Sequence, residues 1–177
     1  MPRRRTSGVQ AVAEVPSFAS VAERHLDDVH AYLVYLTRDR GIAEDLTAET
    51  FEKALRHWRR FDPRRGSART WLCQLARTTA LDHFRAEDRR RRRERAYAPP
   101  ERVELEEGVF GGLSPALEQA LAGLSAGERE VIALRVLLDL DGETAARVLG
   151  ISLTACSTRL SRALKKLEER MSADVAA

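Results

Sequence analysis

Acidic side chains recur at helical spacing in the segment from Ala43 to Ala54, which reads AEDLTAETFEKA. In an α-helix, Asp45, Glu49 and Glu52 take neighbouring outward positions about one turn apart, away from the apolar face. A ridge of carboxylates has the chemistry to bind a basic partner. Because the rest of the chain is rich in arginine and suited to nucleic acid, which repels carboxylates, we expect that partner to be a protein. A solvated helix face is the alternative explanation.

A second candidate surface combines hydroxyl and cationic side chains on the last amphipathic segment, from Ser152 to about Met171. Its apolar face contains Cys156 and Leu160, and its opposite face has no acid before Glu168. Such a face can donate hydrogen bonds to base edges and phosphates in a DNA major groove. An ordinary helical hairpin with a basic outer face is the alternative. The residues of this outer face are Thr154, Ser157, Thr158, Ser161, Arg162 and Lys165.

Catalytic and metal-binding motifs are absent from the sequence. The four histidines are scattered, and there is no HExxH, P-loop, GxGxxG or GxSxG pattern. Cys73 and Cys156 lie within apolar helical patterns, which favours two buried thiols over a disulfide. No CxxC offers zinc ligands. We therefore expect no catalytic residue, no metal and no cofactor, which disfavours a nucleic-acid-processing enzyme.

Basic and acidic residues are segregated along the 177-residue chain, whose formal net charge is only +3. Arg85 to Arg95 contains seven arginines and three acids, whereas Glu101 to Glu107 contains four glutamates and one arginine. Such blocks are typical of solvated, interacting segments. No apolar run is long enough to span a membrane, and the opening MPRRRTSGVQ has no apolar region after its basic residues. We expect a cytoplasmic protein without membrane contact.

Three helices that must position the acidic ridge are predicted in residues 17–86. The first runs from Phe18 to Asp39 with an amphipathic repeat that includes Leu26, and Gly41 is expected to end it. The second runs from about Ile42 to Arg60, with Trp58 and Phe61 as core anchors. After a Pro- and Gly-containing turn, Ser67 can cap the third helix. Together they predict a compact helical bundle ending in a cationic helix.

Three segments lack helical periodicity. Residues 1–16 are predicted to be a disordered tail, and residues 172–177 a short C-terminal tail. Residues 87–113 contain an arginine run, Pro99-Pro100 and a glutamate-rich patch, and they are predicted to form a flexible linker.

Helical patterns return in residues 114–171. Ser125 to Glu128 is a capping box. Asp141 can cap a short helix, Gly150 lies in a tight turn, and Ser152 can cap the last helix. Two helices joined by a short Gly-containing turn are the signature of a helix-turn-helix. The fold class predicted for the whole chain is all-α, with an N-terminal helical bundle and a C-terminal helix-turn-helix joined by a flexible linker.

Two blocks in this order resemble the two domains of an extracytoplasmic-function (ECF, group 4) sigma factor, the minimal group of the bacterial sigma-70 family. The first block is AEDLTAETFEKALRHWRRFDPRRGSARTWLCQLARTTALDHFR, and the second is LSAGEREVIALRVLLDLDGETAARVLGISLTACSTRLSRALKKLEE. The resemblance covers about Phe18 to Met171. It implies that residues 17–86 correspond to region 2 and residues 114–171 to region 4. It also implies a non-enzymatic subunit that binds core RNA polymerase, directs it to specific promoters and assists promoter melting.

The acidic ridge resembles the helix by which the family docks on core RNA polymerase, chiefly on a basic coiled coil of the largest subunit, with the second-largest subunit as a further partner. Where the family often has Gln, this chain has Ala48, so docking is expected to depend more on Asp45 and Glu49. No cationic partner for these two acids is expected within the chain. The residues that the resemblance assigns to polymerase binding are Asp45, Ala48, Glu49, Phe51 and Lys53.

The turn and third helix resemble the part of the family that captures an unstacked base of the minus-ten element and grips the melted strand. Thr78 stands where the family usually has Asn, which bears on base preference. The residues that the resemblance assigns to minus-ten DNA are Phe61, Arg64, Arg65, Ser67, Arg77, Asp82, His83 and Arg85.

The helix-turn-helix resembles the family's reader of duplex promoter DNA at minus thirty-five. Ser157 replaces a common basic residue, which indicates an altered target sequence or a weaker phosphate contact. The residues assigned to this role are Arg135, Thr154, Ser157, Thr158, Arg159, Ser161, Arg162 and Lys165.

Other functions and partners stay open at this point. A free-standing helix-turn-helix regulator accounts for the C-terminal half but leaves the acidic ridge without a role. Control by an anti-sigma factor or by a Clp-type protease is compatible with the sequence. Ala176 and Ala177 are similar to the Ala-Ala ending that such proteases grip, although chain ends of this kind are usually only frayed.

Overall fold

The computed structural model describes residues 17–94 and 114–175, and these residues form an all-α fold without strands. The predicted fold class, two small helical domains, is confirmed. The tail 1–16, linker residues 95–113 and both Ala176 and Ala177 lie outside the described residues. The helices are α1 (Phe18–Thr37), α2 (Arg40–His57), α3 (Ala68–Glu94), α4 (Pro115–Ala122), α5 (Ala126–Ile132), α6 (Gly142–Leu149) and α7 (Leu153–Val175). A 3-10 turn, Trp58–Arg60, follows α2, and a π-helical turn, Ala133–Leu137, extends α5.

Polar side chains cap the helices where the sequence predicted. The Ser67 hydroxyl accepts a hydrogen bond from the Thr70 amide at 3.1 Å at the start of α3. The Asp141 carboxylate accepts from the Thr144 amide at 2.8 Å at the start of α6. Ser152 does the same for Ala155 at the start of α7, at 3.2 Å. Each cap satisfies a backbone N–H that the first turn of a helix leaves unpaired.

The boundary between α1 and α2 differs from the prediction that Gly41 ends the first helix. Helix α1 ends at Thr37, and the next residue, Arg38, adopts a left-handed conformation with φ 56°. Asp39 then caps α2 by accepting from the Ile42 amide at 2.8 Å, so Gly41 lies in the first turn of α2. A left-handed non-glycine residue is unfavourable by about 1 kcal/mol. The Arg38 guanidinium offsets this by donating to the carbonyl of Leu121 in the C-terminal domain at 2.9 Å.

Two helices are longer than predicted. Helix α3 continues to Glu94, so the first eight residues of the predicted linker 87–113 are helical. Ion pairs one turn apart stabilise this extension, because Glu87 contacts Arg90 at 3.0 Å and Arg91 at 3.1 Å. The arginine run therefore extends α3, because Glu87 lies three and four residues before the arginines that it contacts, which is the spacing at which ion pairs stabilise a helix. Helix α7 likewise continues to Val175, beyond residue 171.

One continuous hydrophobic core connects the two domains. In the N-terminal domain Tyr32, Leu33 and Leu72 are fully buried between α1, α2 and α3, and in the C-terminal domain Val131 and Leu134 are fully buried. Helix α3 packs on α6, and α1 packs on α5 and the π-helical turn. Leu26, predicted on the apolar face of α1, is exposed, whereas Val21, Val29 and Leu33 of the same helix are buried in the core. The sequence did not predict contact between the domains.

Both cysteines are buried free thiols, as expected. Burial raises the pKa of Cys73 to about 11, which leaves its thiol protonated at neutral pH.

The capping box at α5 connects to α7 through an ion pair. The Glu128 carboxylate accepts from the Ser125 amide and from the Ser125 hydroxyl, both at 2.8 Å. The Lys166 ammonium of α7 donates to the same carboxylate at 2.6 Å. These contacts, led by that of Lys166, lower the pKa of Glu128 from 4.5 to about 2.

We expect Glu128→Gln to lower the free energy of unfolding by about 2 kcal/mol at neutral pH. A carboxyl whose pKa is depressed by folding stabilises the protein above its unfolded-state value of 4.5 and loses this contribution as the pH falls toward about 2. The deficit of the variant should therefore shrink on acidification. Urea unfolding of both proteins at neutral pH and in mild acid measures it. Glu143→Gln, at an exposed position of α6, is the matched control, and a deficit independent of pH would contradict the role of the charge.

Candidate polymerase and nucleic-acid interfaces

Helix α2 presents an acidic face, formed by Asp45, Ala48, Glu49 and Glu52, to solvent. Its opposite side is buried against α1 and α3, where Leu46 and neighbouring small residues enter the core. The predicted outward direction of the acids is thus confirmed.

Ion pairs within α2 neutralise part of the acidic face. Glu49 contacts the Lys53 ammonium at 2.7 Å, and Glu52 forms an ion pair with Arg56. The expectation that Glu49 lacks a cationic partner within the chain is therefore wrong, because Lys53 follows at the i+4 spacing that favours such a pair. Asp45 forms no ion pair within the described part of the chain. It is the acid of this face most available to a basic partner.

Phe51 and Lys53, also assigned to polymerase binding, lie at the edge of α2 that packs on its neighbours. The Phe51 ring contacts that of Phe18 with centroids 6.5 Å apart. Besides its pair with Glu49, Lys53 donates to the Thr79 hydroxyl of α3 at 3.2 Å. Both residues therefore hold α2 against α1 and α3.

An aromatic pocket of about 400 Å³ lies where the turn after α2 meets the start of α3. The rings of Phe61 and Trp71 form its apolar wall with centroids 5.4 Å apart, and Trp58 stacks on Phe61 at 4.9 Å. Flat aromatic faces beside polar groups can hold an unstacked base. The pocket is lined by Arg60, Phe61, Asp62, Arg65, Gly66, Ser67, Thr70, Trp71, Gln74 and Arg147.

The turn that forms the pocket rim is fixed by its own hydrogen bonds. The Asp62 carboxylate accepts from the Arg64 amide at 2.9 Å, and the Asp62 carbonyl accepts from the Arg65 amide at 3.0 Å. Gly66 follows with φ 155°, a conformation that side chains disfavour. This arrangement brings Phe61, Arg65 and Ser67 together at the pocket, whereas Arg64 is exposed outside its lining.

The remaining minus-ten candidates follow one another along α3. Arg77 is half-buried and bound to Glu130 of α5, with Nε 3.0 Å from Oε1. Asp82 and Arg85 form an exposed ion pair at 3.1 Å, and His83 is half-buried beside the Phe84 ring. These residues lie on α3 beyond the pocket, at positions spread over several sides of the helix.

The helix-turn-helix is formed by α6, a turn and α7. Gly150 ends α6 in the left-handed region with φ 68°, which permits the tight turn. Cys156 and Ala163 anchor α7 in the core, so its outer face lies on the opposite side. Arg159 and Arg135 are half-buried, and Arg135 donates to the carbonyl of Leu140. The exposed candidates on α7 are Thr154, Ser157, Thr158, Ser161, Arg162 and Lys165.

Sequence reasoning missed four residues that complete these surfaces. Trp71 had a signal, because it follows Trp58 and Phe61 in an aromatic-rich segment and comes one turn after the Ser67 cap. Gln74, Glu130 and Arg147 had none, since their contacts join residues 73 and 53 positions apart in sequence. In residues 17–94 and 114–175, no three His, Cys, Asp or Glu side chains are grouped to hold a metal ion. None of the helices described is sufficiently long and apolar to cross a membrane.

Family models match both parts of the chain. Residues 21–90 match Sigma-70 region 2, and residues 114–167 match Sigma-70, region 4. The chain is similar to the ECF RNA polymerase sigma factor SigC of Mycobacterium tuberculosis, with 36% identity over 138 residues that cover 77% of this chain and 73% of that protein. The chain belongs to the ECF sigma factors of the sigma-70 family. The resemblance seen in the sequence is confirmed.

Other relatives and solved structures agree with this membership. The sigma factor is 32% identical over 158 residues to the ECF RNA polymerase sigma factor BldN of Streptomyces coelicolor, covering 87% of this chain and 60% of that protein's length. Its fold resembles that of the sigma factor RpoE in complex with the anti-sigma factor NepR from Bartonella quintana, with TM-score 0.77, 26% identity, and 90% and 99% coverage of the two chains. CnrH in complex with the cytosolic domain of CnrY is also similar, with TM-score 0.66, 26% identity, and 89% and 88% coverage.

Proposed function

We propose that this sigma factor is a promoter-specificity subunit that binds core RNA polymerase, directs it to promoters and assists their melting. The observation that carries the proposal is the aromatic pocket at the start of α3, a helix that also presents polar and cationic side chains. Aromatic rings and guanidinium groups bind single-stranded DNA, because bases stack on the rings and phosphates pair with the cations. Removing a base from the duplex stack costs a few kcal/mol, which such contacts offset. The pocket and α3 therefore hold the melted minus-ten strand.

The acidic face of α2 and the outer face of α7 supply the other two contacts. Asp45 makes the main contact of this chain with a basic surface of core RNA polymerase. The hydroxyl and cationic side chains of α7 enter the major groove at the minus-thirty-five element, where they contact base edges and phosphates.

In this proposal the polymerase catalyses RNA synthesis, and the chain is not itself an enzyme. It acts in the cytoplasm, where core RNA polymerase meets the chromosome. The Bartonella sigma factor that it resembles is bound to an anti-sigma factor, which supports a protein of that class as its regulator.

Promoter binding with and without core RNA polymerase tests the proposal. We expect the purified chain alone to bind promoter duplex weakly, and its complex with core RNA polymerase to protect both elements and to open the minus-ten region. Footprinting and permanganate reactivity of unpaired thymines measure the two effects. Full-strength, sequence-specific binding without polymerase would instead identify a free-standing helix-turn-helix regulator.

A further inference from the structure

Three arginine side chains from different elements converge on the end of α4 and the turn that follows it. The Arg38 guanidinium, just after α1, donates to the Leu121 carbonyl at 2.9 Å. The Arg129 guanidinium of α5 donates to the Leu124 carbonyl at 2.6 Å. Arg170 of α7 donates to a third carbonyl of this segment at 3.2 Å. The C-terminal end of a helix carries about half a negative charge, so three cations exceed what the end of α4 can neutralise.

The acids that neighbour two of these arginines in sequence are bound elsewhere. Asp39 follows Arg38, but its carboxylate accepts from an amide in the first turn of α2 at 2.8 Å. Glu128 and Glu130 flank Arg129, but they contact basic side chains of α7 and α3 at 2.6 and 3.0 Å. Within residues 17–94 and 114–175, neither arginine forms an ion pair. Their charges are therefore uncompensated by side chains of these segments.

Arg38 and Arg129 are half-buried and close to each other. Burial, and then the neighbouring charge of Arg129, lower the pKa of Arg38. Burial raises the pKa of Tyr35 to about 12, and the charges of both arginines oppose that rise, so both guanidiniums lie near this buried phenol. The Nε atom of Arg129 is buried without a hydrogen-bond partner in the part of the chain that the structure describes. Two half-buried like charges and an unpaired donor cost free energy that a bound anion would recover.

The donors that remain at these two arginines suit a phosphate-type oxyanion. A guanidinium has five N–H donors, and each of these two contacts one acceptor, a main-chain carbonyl. Guanidinium groups bind phosphate oxygens through pairs of parallel hydrogen bonds. A phosphate group carries up to about two negative charges at neutral pH, which matches the two positive charges of Arg38 and Arg129.

We propose that Arg38 and Arg129 form a binding site for a small phosphate-type oxyanion where α1, α4 and α5 meet, with Arg170 adding to the positive potential. The ligand is a free anion such as pyrophosphate or the phosphate chain of a nucleotide, because both present the same oxygens. The site uses none of the residues assigned to polymerase or promoter DNA, so it is additional to the proposed function and independent of it.

Titration of the full-length chain with pyrophosphate in phosphate-free buffer tests the site. The Nε–H group of Arg129 gives an NMR cross-peak, identified by its loss in Arg129→Lys, and this peak should shift as pyrophosphate binds. Isothermal titration calorimetry should give a dissociation constant below about 1 mM, the upper end of typical metabolite affinities. Arg38→Gln and Arg129→Gln should each weaken binding by about tenfold or more, because each removes charge-assisted hydrogen bonds.

The matched control is Arg24→Gln, which removes the same charge at an exposed position of α1 and should bind pyrophosphate as the wild type does. Arg129→Lys keeps the charge but loses the planar donor pair, so it should weaken binding less than Arg129→Gln. Urea unfolding with and without pyrophosphate covers a variant of lower basal stability. Pyrophosphate should stabilise the wild type and Arg24→Gln but not Arg129→Gln, since a ligand of the native state raises the free energy of unfolding only where it binds.

ATP and a random-sequence duplex of about 12 base pairs distinguish the sources of the phosphate. Tighter binding of ATP than of pyrophosphate would identify a nucleotide as the ligand, and the reverse order would identify a free anion. Either order supports the site. A shift of the Arg129 peak with the duplex but not with pyrophosphate would instead make Arg129 a DNA contact and overturn the proposal.

Three further results would contradict the site. An Arg129 Nε–H peak that does not move with pyrophosphate would leave the arginines as caps of α4 alone. A dissociation constant well above about 1 mM would indicate an adventitious ion only. Equal weakening of binding in Arg24→Gln and Arg129→Gln would show that pyrophosphate responds to net charge and not to this pair of arginines.

Discussion

Reversing Asp45 to lysine is expected to lower the affinity for core RNA polymerase by about 100-fold. Asp45 is exposed on α2 and forms no ion pair in the part of the chain that the structure describes, so its charge is available to a basic surface. Losing one partner of a buried interfacial ion pair costs about 2–5 kcal/mol, and 1.4 kcal/mol is tenfold in affinity. Glu49→Ala should have a smaller effect, because Glu49 already contacts Lys53 at 2.7 Å.

Fluorescence anisotropy of labelled sigma factor titrated with core RNA polymerase measures both affinities. Glu44→Lys, at the neighbouring exposed position of α2, is the matched control for the change in net charge. Thermal unfolding should be nearly the same in all of these variants, since exposed charges contribute little to stability. Tight assembly by a folded Asp45→Lys variant would exclude the acidic face as the docking site.

Features fixed by nearby residues could be predicted from the sequence. The caps at Ser67, Asp141 and Ser152 depend on side chains and amides three residues apart, so local pattern suffices. The outward direction of Asp45 on α2 and of Arg162 on α7 follows from helical periodicity in the same way. Family resemblance added the roles of these surfaces, which periodicity alone leaves open.

Features fixed by tertiary packing could not be predicted. The left-handed Arg38 is stabilised by a carbonyl 83 residues away, which no local pattern reveals. The Asp39 cap of α2 was a local signal that the expectation for Gly41 did not use. Glu130 and Arg147 had no visible role until the domains were seen in contact, because hydrophobic periodicity identifies the buried face of a helix without identifying what covers it. The ion pair of Glu49 was missed for a simpler reason. Lys53 was assigned only to polymerase binding, although it lies four residues after Glu49, at the spacing that favours such a pair.

The outer face of α7 should divide base reading from phosphate binding between two cations. Arg162 is exposed on the same helix as the exposed Ser157 and Ser161. Its planar guanidinium can contact a guanine edge through two hydrogen bonds. Lys165, one turn nearer the end of the helix, is an exposed point charge whose nearest acid, Glu169, is 3.8 Å away. Such a charge suits a phosphate, which carries no sequence information.

We expect Arg162→Ala to lose discrimination at particular minus-thirty-five base pairs by about 1–3 kcal/mol, which is roughly 5- to 150-fold in relative affinity. Lys165→Ala should weaken binding to all promoters alike and reduce the slope of log affinity against log salt by about one. Holoenzyme binding to a panel of single-base promoter variants at several salt concentrations measures both effects. Arg162→Lys is the informative control, because it keeps the charge but loses the planar two-bond contact, so it should retain the salt dependence and still lose discrimination. Identical profiles for Arg162→Ala and Lys165→Ala across the panel would contradict this division and would assign both side chains to the DNA backbone.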